Sequence, residues 1–162
     1  MAHLSYEHLC LYDLLQARAI PTVGTDRPAI LAPNQEPLAY SRLLESVEGI
    51  VSALNDLGIG RNDRVAVVLP NGPEMAVTFL GVASGATCAP LNPNYQAAEF
   101  DFYLSDLDAK AVVVPPNSDS PVIEVARARQ IVEQAALIAQ LVAGIEGLSE
   151  DEVRSLLEAD HA

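Results

Sequence analysis

The sequence predicts an α/β fold: a partial parallel sheet with flanking helices, followed by a helical C-terminal tail. Three observations carry this expectation. Short apolar runs at residues 65–69, 88–91 and 111–114 have the length and composition of buried parallel strands. Stretches with apolar residues at three- and four-residue spacing alternate with these runs, so right-handed helical crossovers should join parallel strands. The proline-rich stretch 115–121 then breaks the pattern, and Ala, Gln and Arg dominate beyond it. This divides the chain into a sheet domain at 1–121 and an acidic, helical tail at 122–162.

Residues 1–16 suit a short helix with Leu4, Leu11, Leu14 and Leu15 as its apolar contacts, and residues 20–28 a loop carrying Pro21, Gly24 and Pro28. Residues 29–31 and 38–40 flank a proline-bearing turn and read as a small hairpin confined to an edge. Ser41 offers an N-cap oxygen to a helix running to Leu57, with Leu43, Leu44, Val47, Ile50, Val51 and Leu54 at helical spacing. Gly58 fits the position after that helix, where a left-handed backbone costs glycine little. Charged residues 61–64 precede the first strand, and Pro70, Asn71 and Gly72 turn the chain. Pro73 then suits a first helical position, with Glu74 near the positive helix end. That helix runs through Met75, Val77, Phe79, Leu80 and Val82 and closes at Gly85 before the second strand. Asn92, Pro93 and Asn94 turn the chain into a third helix, with Phe100, Tyr103, Leu104 and Leu107 on one face, and the third strand follows. Beyond residue 121 the pattern predicts helix to about Val142. Ser149 and Glu152 then form a capping-box pair for a last helix with the stripe Val153, Leu156 and Leu157.

Half of the 162 residues are hydrophobic, 5% are aromatic and none is Trp, so the core is built from Val, Leu, Ile and Ala. Charges or prolines interrupt every long apolar run before it could span a bilayer. The first dozen residues lack the basic start of a signal peptide, and Cys10 and Cys88 are too few for a disulfide framework. A reducing, cytoplasmic location is the expectation. A net charge of −13 argues against nucleic acid as a partner, and eight arginines and the single lysine Lys110 supply all the basic side chains.

His3, His8 and Cys10 match no zinc spacing. Gly58 and Gly60 begin like a dinucleotide fingerprint, but Asp63 stands in place of the third glycine. Asn71, Gly72 and Pro73 lie at a strand-to-helix turn where amides could meet an anion, yet no Lys or Arg is nearby and Glu74 would repel a phosphate. Glu99, Asp101, Asp106 and Asp108 read as a solvated acidic face, and Cys88 as an inert core thiol. The histidines at 3, 8 and 161 assemble no nucleophilic triad. The residues alone therefore assign no catalytic, cofactor-binding or metal-binding position.

Residues 57–74, reading Leu-Gly-Ile-Gly-Arg-Asn-Asp-Arg-Val-Ala-Val-Val-Leu-Pro-Asn-Gly-Pro-Glu, go further. The stretch resembles the opening of the large domain in the acyl-CoA synthetase superfamily of AMP-binding, adenylate-forming ligases. Tyr40, Ser41 and Leu43 before it fit too. Phe79, Leu80, Gly81 and Val82, then Gly85 and Ala86, Pro90 to Pro93, Glu99, and Tyr103 to Asp106 continue the match in order, over roughly residues 8–130. Asn92, Pro93, Asn94 and Tyr95, together with residues 99–106, are most similar to the small-acid branch that includes oxalate–CoA ligases.

The resemblance implies a reaction class. Such enzymes join a carboxylic acid to AMP and pass the acyl group to the thiol of coenzyme A or a carrier protein, with Mg²⁺ and lysines stabilising phosphate charge. The family's Ser/Thr/Gly-rich loop ending in Lys has no counterpart in this sequence, nor has its acidic ribose-holding motif. A truncated front segment that binds no cofactor alone is therefore expected, with ATP, Mg²⁺ and CoA or a carrier thiol implied only for a complete member. Where the family would turn into another strand after Ala128, residues 129–162 read as continuing helix, similar to docking helices of polyketide and peptide synthetases. Leu141, Leu148, Val153, Leu156 and Leu157 become candidate interaction residues, for self-association or a protein partner. Three readings stay open: a ligase segment inactive alone, a non-catalytic scaffold or docking protein, and one part of a split ligase completed by another chain.

Overall fold

The computed structural model describes residues 10–19, 26–33 and 35–133. Helix α1 (Leu11–Ala19) buries Leu15. The described part of the helix expected at 1–16 thus continues three residues further, while residues 1–9, with His3 and His8, lie outside the described residues. Strands β1 (Pro28–Ile30) and β2 (Leu38–Ala39) pair antiparallel as the expected hairpin. Helix α2 (Tyr40–Asp56) starts one residue before Ser41, which is therefore not its N-cap. The cap, Ala39, makes no side-chain cap bond; Asp26 supplies the acceptor instead, taking the backbone N–H of Ser41 at 3.3 Å and its hydroxyl.

The main sheet follows: β3 (Arg64–Val67), α3 (Pro73–Gly85), β4 (Thr87–Pro90), α4 (Ala97–Asp106), β5 (Ala111–Val113), α5 (Val122–Ala128) and β6 (Val132–Glu133). All four strands are parallel, in the order β4-β3-β5-β6. Buried Val65 and Val67 of β3, with Ala111 and Val113 of β5, pack with Leu43, Val47, Ile50 and Leu54 of α2 and Val77 and Val82 of α3. Ala66, Val68, Val112 and Val114 belong to the second core, with Phe100 and Leu104 of α4 and Val122 and Ala126 of α5. Burial on both faces explains the unbroken apolar runs that marked these strands. Gly81 makes the helix pairing close: a Cβ there would stand 2.0 Å from Cδ1 of Ile50.

The tail expectation requires correction. Helix α5 ends at Ala128 instead of continuing, because Gln130 turns left-handed (φ 58°) and the N–H of Ile131 donates to the Ala126 carbonyl at 2.9 Å. The chain then enters β6, whose Val132 and Glu133 stand in register with Ala111 and Val112. Residue 121 is therefore no structural boundary, since Val122 and Ala126 are fully buried in the second core. The rest of the tail, residues 134–162, lies outside the described residues.

Candidate functional site

Strand order locates a site. From central β3 the chain passes to β4 on one side, then crosses back to β5 on the other. The loops after β3 and β5 therefore lead to helices on opposite faces, and such a switch point at the carboxyl ends of the strands is where doubly wound sheets place a ligand crevice. Its floor is closed by the Val68 N–H, which donates to the Val113 carbonyl at 2.8 Å, with Val68, Leu69 and Val114 buried. Its rims are exposed Pro70, Asn71 and Gly72 on one side and Pro116 and Asn117 on the other.

The polar groups around this edge mostly serve the backbone. Ser118 Oγ accepts from the Ser120 N–H at 3.2 Å, and Ser120 Oγ accepts from the Val122 N–H at 3.4 Å as α5 begins. In the adjoining β4–α4 loop, Asn92 Oδ1 accepts from the Asn94 N–H, and Glu99 accepts from the Gln96 N–H in a capping box. Tyr95 stacks on Tyr103 with ring centroids 5.2 Å apart. A hydrogen bond with Tyr103 raises the Tyr95 phenol pKa above its ordinary value.

None of the three loops 68–72, 91–96 and 114–121 contains Lys or Arg. The nearest strand-borne cations sit at the opposite, amino end of the sheet. Arg64 donates to the carbonyls of Leu107 (2.7 Å) and Asp108 (3.0 Å) and pairs with the Asp108 carboxylate, which Lys110 meets at 3.1 Å. Lys110, with Arg64 second to it, holds the Asp108 carboxyl below the usual carboxylate range. At the start of α3 the Glu74 carboxylate already adds negative charge, its Oε2 lying 2.9 Å from the place of a Cβ on Gly72. The donor set therefore does not fit a triphosphate. No group of three His, Cys, Asp or Glu suited to a metal occurs among the described residues.

The sequence-predicted positions fall out as follows. Cys10 is exposed; Cys88 is half-buried, its thiol pushed up to about 11 by burial. Glu99 is taken up by the α4 cap, Asp101 by Arg129 at 2.7 Å and Asp108 by Arg64 and Lys110, so no acid/base pair forms among them. Leu141, Leu148, Val153, Leu156 and Leu157 lie outside the described residues. The crevice itself was missed in the sequence, because no residue pattern says on which side of β3 the strand β5 will lie.

The AMP-binding enzyme family matches residues 17–160. This chain belongs to the AMP-binding enzyme family. It is 44% identical over 105 residues to the probable CoA ligase CCL9 of Humulus lupulus, covering 64% of this chain and 19% of that protein. It is also 40% identical over 103 residues to the oxalate–CoA ligase of Arabidopsis thaliana, covering 62% and 20%. Among solved structures, the N-terminal domain of FACL13 from Mycobacterium tuberculosis superposes with a TM-score of 0.62 at 33% identity, over 73% of this chain and 30% of that one. The AMP-binding chain thus corresponds to the N-terminal portion of acyl-CoA ligases and spans about a fifth of the curated relatives it matches. Oxalate–CoA ligases are among the relatives, as the small-acid resemblance led one to expect. No helix among its described residues is long and apolar enough to cross a membrane.

Proposed function

We propose that this chain builds the front of an acyl-activating ligase, a fold that converts a carboxylic acid and ATP to an acyl adenylate and then to a thioester, and that it performs no adenylation by itself. The observation behind this reading is the cation-free carboxyl edge: three loops of amides, hydroxyls and prolines, with Glu74 at the start of α3. Stabilising a triphosphate needs preorganised positive charge, so ATP, Mg²⁺ and CoA or a carrier thiol would be held by residues outside this chain. The substrate class favoured by the oxalate–CoA ligase relatives is a small carboxylic acid. A cytoplasmic location agrees with two scattered, unpaired cysteines. The proposed partner is a protein, or a second copy, engaged through the C-terminal residues Leu141, Leu148, Val153, Leu156 and Leu157.

Exchange of labelled pyrophosphate into ATP, driven by oxalate or another short acid, tests the reading. The pure chain should give background exchange only, and acid-dependent exchange clearly above background would overturn the proposal. One feature favours a second reading, a split ligase completed by another chain: residues 75–85 of α3 carry no charge, yet Phe79 among them is 41% exposed.

A further inference from the structure

The chain has five tyrosines, at residues 6, 12, 40, 95 and 103, and no Trp, so tyrosine is its most oxidisable aromatic side chain. Tyr6 lies outside the described residues. Tyr12 donates its hydroxyl to the Glu48 carboxylate at 2.7 Å, and Tyr40 packs against the first core. Neither belongs to a ring pair among the described residues. Tyr95 and Tyr103 differ. The turn after β4 carries the first and α4 the second, and their rings stack with centroids 5.2 Å apart and planes 13° from parallel. The two phenols are also hydrogen-bonded to each other, so both rings point their hydroxyl ends the same way. The carbons beside one hydroxyl therefore stand next to those beside the other. An edge contact with buried Phe100 at 5.8 Å steadies Tyr95, and one with Phe102 at 5.2 Å steadies Tyr103. Both tyrosines are only half-buried and Phe102 beside them is 63% exposed, so the stack lies within reach of an oxidant.

We propose that Tyr95 and Tyr103 form an oxidative modification site, at which a one-electron oxidant, a peroxidase with hydrogen peroxide, joins the two rings into a dityrosine within one chain. Each phenol gives up one electron and its hydroxyl proton, leaving a phenoxyl radical with spin on the carbons beside the oxygen. Two such carbons, one from each ring, form the new C–C bond. The hydrogen on each then moves to its own ring oxygen and restores the phenol. The pair loses two hydrogen atoms in all, and one hydrogen peroxide is reduced to two waters. Holding the rings together in advance favours coupling within the chain over encounter between chains. The net charge of −13 disfavours that encounter further. The product ties the β4–α4 loop covalently to α4, whether or not the chain is the front of a ligase.

The test treats the dilute full chain with peroxidase and hydrogen peroxide, while N-acetyltyrosinamide in a parallel tube reports that the oxidant works. The chain should stay monomeric, lose the mass of two hydrogens and gain dityrosine fluorescence. Cleavage after glutamate locates the link, because Glu99 is the one glutamate between the two tyrosines. Peptides 75–99 and 100–124 should emerge joined. Tyr95→Phe and Tyr103→Phe keep the rings and should melt as the wild type does, yet each should abolish the monomeric product. Tyr12→Phe should leave it unchanged. The proposal is overturned if the chain couples only into dimers, or if no dityrosine forms where the free derivative couples. Survival of the monomeric product in either stack variant, or its loss in Tyr12→Phe, overturns it as well.

Discussion

Asp108 and Gln130 hold the left-handed backbone that glycine usually supplies, with φ of 46° and 58°. Both do so for the same reason as Gly58 at φ 74°. After α2 the N–H of Gly58 donates to Asn55 and that of Ile59 to Leu54. After α4 Asp108 and Ala109 bond to Ser105 and Leu104, and after α5 Gln130 and Ile131 bond to Arg127 and Ala126. Each helix thus closes in the same two-bond Schellman turn, and each turn delivers the chain to the amino end of a strand. Non-glycine residues sit in this conformation at a cost, so Gln130→Gly should raise stability by roughly 1 kcal/mol, read as a higher urea midpoint at unchanged m-value. Asp108→Gly should gain less, because it also removes the carboxylate paired with Arg64 and Lys110. Those pairs depress the folded-state pKa of Asp108. Their stabilisation is therefore present above the ordinary carboxylate value near 3.9 and is lost as pH falls below it. The gap between wild type and Asp108→Asn should accordingly be measurable at pH 7 and close on acidification. A gap that persists at pH 2 would place the effect in the turn instead of the charge.

At the scale of elements, the closeness of α2 and α3 sets what each can carry. A Cβ at Gly81 would fall 2.0 Å from Cδ1 and 2.9 Å from Cβ of Ile50, so Gly81→Ala should cost about 1–3 kcal/mol by forcing the helices apart. Adding Ile50→Val removes the nearest atom, and thermal melts should show the double variant less damaged than the sum of the two singles. Strict additivity would mean that the helices separate freely. The strands β3 and β5 were legible in the sequence because burial on both faces leaves an unbroken apolar run. Helix α2 was legible because Gly58 announces its end. Strand β6 was not, because it is two residues long and its helix stop is Gln130, a good helix former. Nor was the α2 cap, whose acceptor Asp26 lies 15 residues before Ser41 and is brought there by the hairpin. The cation-free edge could be read from the loops alone, but the crevice needed the strand order, which depends on packing between distant segments.

For the whole molecule, the two edges of the sheet are not equivalent. On β4 the N–H groups of Thr87 and Leu91 donate to the Asp63 and Val67 carbonyls of the β3 segment, both at 2.9 Å. With the two-residue alternation of a strand, residues 88 and 90 turn their donor side outward. Residue 90 is proline and has no donor, so this edge offers a docking strand only the Cys88 N–H along β4. Proline in such a place is a device against edge-to-edge association. It leaves the β4 edge poor in outward donors. The net charge of −13 also keeps copies apart, and the two effects can be separated with salt. At about 1 M ionic strength the Debye length falls to about 3 Å, so charge repulsion no longer decides and the backbone edge does. Under that condition Pro90→Ala, which restores an outward N–H at an exposed position, should begin to self-associate at a lower concentration than wild type in light scattering. If Pro90→Ala scatters as the wild type does at every concentration, the proline is not what guards this edge.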